Sequence, residues 1–157
     1  MSRPSYNAAV VVVLVLAGCA GIVTASHHDP KGYSDVFAAA EKGDMATLRA
    51  DLTADPALLM QTEWDGRTLL HDAADNSQIE AANYLLDRGA DGNAVAADGR
   101  TALHMAAQRG DVAMISLLLA HHANPQLRDH QGWTPLDRAV KWRHPDAAAA
   151  LRNATLH

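Results

Sequence analysis

Over most of the chain, apolar and small residues return on a fixed interval. Leu70, Leu103 and Leu136 lie 33 residues apart, and Ala73, Ala106 and Ala139 keep that spacing. So do Gly66, Gly99 and Gly132, and Thr68, Thr101 and Thr134. A sustained period of this length marks a stacked array of similar units, none of which can bury its apolar face alone. Each unit is predicted to hold two helices. The first begins at Thr68, Thr101 or Thr134, whose hydroxyl can accept from the unpaired N–H groups of a helix start. Pro135 sits just inside such a start, where its missing N–H costs nothing. The alanine pairs at 73–74 and 106–107 let neighbouring helices approach closely. The second helix carries Leu85 and Leu86, or Leu117 and Leu118, as its apolar stripe. Gly43 and Gly110 are expected to turn the chain between the helices at positive φ. Ser77 and Arg143 occupy the matching place, where a side chain makes that backbone less relaxed.

The segments DGRTLLHDAADNS, DGRTALHMAAQRG and QGWTPLDRAVKWR, with Tyr84 to Asp91 and Leu117 to Asn124 as their continuations, resemble the ankyrin repeat. The resemblance covers residues 33–152. It implies an all-α solenoid of stacked helix-turn-helix units joined by short hairpin loops, with repeats at about 33–64, 65–97, 98–130 and 131–157. The first unit lacks the Gly-x-Thr entry and reads as an N-terminal cap. Ala39 to Ala106 is 67 residues, one more than two periods, so the connection near Asp55-Pro56 carries an extra residue. The last unit ends in a short, alanine-rich helix from Pro145 to Arg152, as a C-terminal cap would.

The resemblance also assigns roles. His71 and His104 fall on the motif histidine, which in this family bonds backbone of a neighbouring turn; Asp137 departs from the pattern there. Partner contacts are expected from the hairpin tips and from the exposed face of the first helix of each unit. Carried onto this chain, the tips are Trp64, Asp65 and Arg67, then Asp98 and Arg100, then His130, Gln131 and Trp133. The helix face is Asp72, Asp75 and Asn76, then Met105, Gln108 and Arg109, then Arg138, Lys141 and Trp142. All three tryptophans of the chain fall on this surface, and Trp and Arg are enriched in binding hot spots.

The N-terminus reads differently. Arg3 precedes an uncharged apolar stretch from Ala8 to Leu16 of the length of a secretory signal core. Leu16-Ala17-Gly18-Cys19 then resembles the bacterial lipobox, and Cys19 is the one cysteine of the chain. That resemblance implies a signal peptide over 1–18, lipidation of Cys19, and a tether over 19–32 leading to a repeat domain over 33–157. Ala20 after the cysteine resembles the sorting pattern for the outer membrane. The uncharged run from Ala8 to Ala25 is 18 residues, the lower edge of a membrane span of about 20, so an uncleaved signal anchor is the alternative. Either places the repeats on the periplasmic side of the cell envelope.

Composition narrows the function. Hydrophobic residues are 48% and aromatics 4%, so the core is built from Ala, Leu and Val. A formal charge of −5 lacks the basic footprint of a nucleic-acid binder. From Asp35 to Asp91 there are 12 acidic and 4 basic residues, a net of −8; from Gly92 to His157 there are 7 basic and 5 acidic, a net of +2. Such a gradient orients a partner of complementary charge. No nucleophile motif, HExxH helix or phosphate loop is present, so no catalytic residue, cofactor or resident metal is expected. The expectation is a monomeric, lipid-anchored module that binds another protein, as scaffold or stabiliser of an envelope protein. The alternatives are an immunity protein that masks a toxic enzyme, and metal handling by the pairs His27-His28 and His121-His122.

Overall fold

The computed structural model describes residues 30–155. Within them the chain forms four helix pairs: α1 (Pro30–Lys42) with α2 (Met45–Ala54), α3 (Leu69–Asp75) with α4 (Ile79–Asp87), α5 (Ala102–Arg109) with α6 (Val112–Ala120), and α7 (Pro135–Lys141) with α8 (Pro145–Ala154). Helices α1, α3, α5 and α7 pack side by side as an inner row, and α2, α4, α6 and α8 form a second row against them. The fold is the expected all-helical repeat solenoid. Helix α1 begins at Pro30, three residues inside the stretch assigned to the tether; proline is well suited to the first turn of a helix. The signal segment and Cys19 lie outside the described residues.

The rows close together because the residues between them are small. Ala39, Ala40, Ala73, Ala74, Ala106, Ala107 and Ala139 are buried on the inner row. Leu85, Leu118 and Leu151 repeat every 33 residues on the second row and are fully buried. Leu70 and Leu103 are also buried, whereas their counterpart Leu136 is only partly covered, since no described unit follows it. The extra residue near Asp55-Pro56 is absorbed by a 3-10 turn at Pro56–Met60 that joins the first pair to the second. Asp55 caps it by accepting the Ala57 N–H at 3.0 Å.

The predicted turn between paired helices has positive φ in every unit. Gly43 (φ 70°) and Gly110 (φ 75°) adopt it without penalty, while Ser77 (φ 57°) and Arg143 (φ 61°) hold it with a side chain. The residue that follows alternates in role. Asp44 and Asp111 cap their own helices: Asp44 accepts from the Ala46 and Thr47 N–H groups, and Asp111 from the Met114 N–H. Gln78 and His144, at the same register, instead reach the preceding unit, donating to the carbonyls of Glu41 (3.3 Å) and Gln108 (3.0 Å). Their side chains lie against Gly43 and Gly110, where a Cβ would stand 2.3 Å from Gln78 and 2.5 Å from the His144 ring.

The inner face as a candidate protein-interaction surface

Each hairpin repeats one hydrogen-bond pattern. Glu63, Ala96 and Asp129 N–H groups donate to the carbonyls of Arg67, Arg100 and Trp133 at 2.8 to 2.9 Å. Successive hairpins are stitched by Ala97 N–H to the Asp65 carbonyl (2.7 Å) and His130 N–H to the Asp98 carbonyl (3.0 Å). The motif histidines add a second stitch. His71 Nε2 meets the Arg100 carbonyl at 3.0 Å, and His104 Nε2 meets the Trp133 carbonyl at 3.0 Å. A carbonyl only accepts, so Nε2 carries the proton and Nδ1 is the acceptor. The Thr68 and Thr101 N–H groups donate to that Nδ1 at 3.2 Å, with their hydroxyls 2.9 Å away. Both rings are almost completely buried, and burial holds their pKa below the usual 6.5. The expected backbone role of the two histidines is therefore present. Asp137 keeps the cap, accepting from the Thr134 N–H (2.9 Å) and hydroxyl (2.8 Å), but a carboxylate has no proton to pass on to a following unit.

The side chains assigned to partner binding fall into three groups. Trp64 (94% exposed), Trp142 (51% exposed), Arg109, His130 and Lys141 stand in solvent. Arg67, Asp75, Asn76, Arg100, Gln108 and Trp133 are half-buried. Met105 is 3% exposed, within the core, and cannot offer its side chain to a partner. Asp72 and Arg138 occupy the same register in their own units and are also buried, at 7% and 9% exposure. These three correct the expectation: that helix position faces the base of the hairpin rather than solvent.

The buried charges are paired within the chain. Arg67 contacts Asp72 at 2.6 Å and Asp75 at 3.2 Å, and Arg109 lies 3.7 Å from Asp75 in the next unit. Arg100 pairs with Asp98, and Arg138 with the fully buried carboxylate of Asp129. The Gln108 side-chain Oε1 accepts from Arg138 at 3.2 Å and Arg100 at 3.4 Å, so one network crosses two units. Burial would raise Asp129, but hydrogen bonds from Arg138 and from the Trp133 and Gln131 N–H groups hold it below the usual carboxylate range. At Asp72 burial wins over Arg67, with help from Glu63, and pushes the group up to about 7. At the C-terminal end of the face, Lys141 Nζ sits 3.7 Å from the centre of the Trp133 ring, with the Arg138 guanidinium at 5.3 Å.

Sequence reasoning missed Asp129. It replaces the Glu63 and Ala96 of earlier units in the unit where Arg138 replaces Asp72 and Met105. An acid at 129 in the same unit as a new base at 138 was the available signal. Cys19 and the pair His27-His28 lie outside the described residues. His121 ends α6, and His122 holds a positive φ of 62° in the turn after it. Among the described residues no group of three or more His, Cys, Asp or Glu is placed to hold a metal ion.

Stacked helix pairs, a stitched row of hairpins and an inner face of mixed polar and aromatic character define a protein–protein interaction module. The chain belongs to the ankyrin-repeat family: the family model for ankyrin repeats (many copies) matches residues 70–119 and 111–152. Inversin from Gallus gallus is 36% identical over 118 residues, which is 75% of this chain and 11% of inversin. The E3 ubiquitin-protein ligase XB3 of Oryza sativa subsp. japonica is 47% identical over 62 residues, 39% of this chain and 14% of the ligase. The palmitoyltransferase akr1 of Schizosaccharomyces pombe is 38% identical over 63 residues, 40% of this chain and 10% of that protein. The chain thus spans only a small part of these relatives, and the similarity falls on the repeats.

Proposed function

We propose that this protein is a lipid-anchored periplasmic module that holds a protein partner on its inner face, as scaffold or stabiliser of an envelope protein. The observation that carries the binding role is the cluster at the C-terminal end of that face. Trp142 is half exposed, Lys141 covers Trp133, and Arg109 lies exposed on the neighbouring unit, 3.7 Å from Asp75. An exposed indole beside cations is the composition of a hot spot. The acidic N-terminal half and the basic C-terminal half give a partner one preferred orientation. The lipobox resemblance at Leu16 to Cys19 supports the anchor and the location, since two or more acyl chains hold a protein stably on a membrane.

The test joins both claims. Labelled palmitate should enter the wild-type chain and not Cys19→Ser; label retained in Cys19→Ser ends the anchor reading. A photo-crosslinker at position 142, used in intact cells, should capture one predominant envelope protein. Trp142→Ala should then weaken its binding by about 2 kcal/mol, roughly thirtyfold. An unchanged affinity rules out the inner face. A captured toxic enzyme that loses activity in a one-to-one complex would replace the scaffold reading with the immunity one.

A further inference from the structure

Five residues line an open cleft of about 590 Å³ at the C-terminal end of the array: Arg128, Gly132, Trp133, Asp137 and Lys141. Their counterparts one unit earlier are Val95, Gly99, Arg100, His104 and Gln108. Three of those are met directly by the following unit. A Cβ on Gly99 would lie 2.8 Å from the His130 backbone nitrogen. His104 donates to the Trp133 carbonyl and Gln108 accepts from Arg138. The unit before repeats this, with Gly66 against Ala97, His71 on the Arg100 carbonyl and Asp75 near Arg109. At Gly132 a Cβ would meet nothing within 4 Å. Among the described residues, the surface on which each hairpin seats the next is therefore open at the Asp129–Trp133 hairpin.

The stitch is open as well. The Asp65 and Asp98 carbonyls each accept an N–H from the next hairpin, and Gln131 supplies the third carbonyl of that series. Among the described residues no N–H reaches it. Yet the cleft is not shaped for a further unit of the same kind. Where His71 and His104 donate to an incoming carbonyl, Asp137 presents an acceptor-only carboxylate that would repel one. The rim carries two cations, Arg128, which donates to the Gly132 carbonyl at 2.6 Å, and Lys141 over the Trp133 ring. Asp137 is the single anion among the lining residues, already engaged by Thr134.

We infer that this end cleft is a second docking site, which takes an extended acidic segment of a protein partner. A backbone N–H of the segment pairs with the Gln131 carbonyl, its Asp or Glu side chains meet Arg128 and Lys141, and its apolar atoms lie on the Trp133 ring. The site adjoins the inner face but needs no partner there.

Panning a random peptide library on the full chain tests this directly. Asp- and Glu-containing sequences should be enriched on the wild type. Their affinity, measured by fluorescence anisotropy on the enriched peptides, should fall at least about tenfold with Arg128→Glu and with Lys141→Glu, the size expected when a charge-assisted contact is lost. Trp142→Ala, which probes the inner face, should leave it unchanged. Circular dichroism checks that the variants are folded, as expected since Arg128 and Lys141 are both exposed. Enrichment of neutral or basic peptides, or of none, overturns the inference. So does acidic-peptide binding that survives both charge reversals, or a dimer in sedimentation that Arg128→Glu dissolves, which would give the cleft to a second copy.

Discussion

A single backbone angle shows how much one residue decides here. Four turn positions share the left-handed conformation, yet only Gly43 and Gly110 are glycine. At Gly110 the turn does two things: it takes a φ of 75° and leaves room for the ring of His144. Gly110→Ala should therefore destabilise the protein by about 2 kcal/mol or more, from left-handed strain of about 1–2 kcal/mol plus overlap with that ring. Denaturant titration measures it, and a His144→Ala background should relieve the overlap but not the strain. Ser77→Gly should move stability the other way, by about 1 kcal/mol, because Ser77 holds the same angle with a Cβ. A loss at Ser77→Gly would show that the turn is governed by side-chain contacts instead. Residues are also where sequence reasoning ran out. The ankyrin resemblance put Asp72, Met105 and Arg138 on the exposed face of the first helices, and all three are buried. Which way the face turned was not visible, because it depends on the hairpin folding back over it and on Asp129 entering to meet Arg138.

Between elements, the linkage that sets pH dependence is the buried imidazole. His71 and His104 each join a helix start to the next hairpin as a neutral ring. Their native pKa lies below the unfolded 6.5, so below about pH 6.5 the unfolded chain binds more protons than the folded one. Their contribution is complete above that pH and is lost as pH falls through the native values. Asp72 has the opposite sign. Its native value of about 7 exceeds the ordinary 3.8, so its contribution is present below 3.8 and lost as pH rises through 7. Between those limits the two oppose each other. In an Asp72→Asn chain the urea midpoint should fall steadily from pH 7 to pH 5, and adding His71→Gln and His104→Gln should flatten that profile. A profile that stays steep without the histidines would assign the acid sensitivity elsewhere. The ankyrin resemblance, which puts His71 and His104 on the motif histidine, made these links legible in advance; the alternation of Asp44 and Asp111 with Gln78 and His144 was not, since nothing local tells whether a side chain caps its own helix or spans to the next unit.

Across the whole molecule the links are unevenly distributed. The second, third and fourth units are joined by histidine-to-carbonyl and hairpin-to-hairpin bonds. Among the described residues the first unit shows no hairpin; it meets the second through Gln78, an exposed Arg49–Glu80 pair at 3.5 Å and the Arg49 guanidinium 4.8 Å from the centre of the Tyr84 ring, besides apolar packing. Stability in a stacked array is a sum of neighbour interfaces and is not uniform along it. Amide hydrogen exchange should therefore be fastest in α1 and α2 and slowest in α5. Equal protection from α1 to α6 would mean that the alanine and leucine packing outweighs the polar links. The uneven joining has a mechanical consequence. A pull transmitted through the chain ahead of α1 reaches the most weakly fastened unit first, so the solenoid would yield by peeling from that side, while the unit bearing Trp133 and Trp142 kept its shape under load.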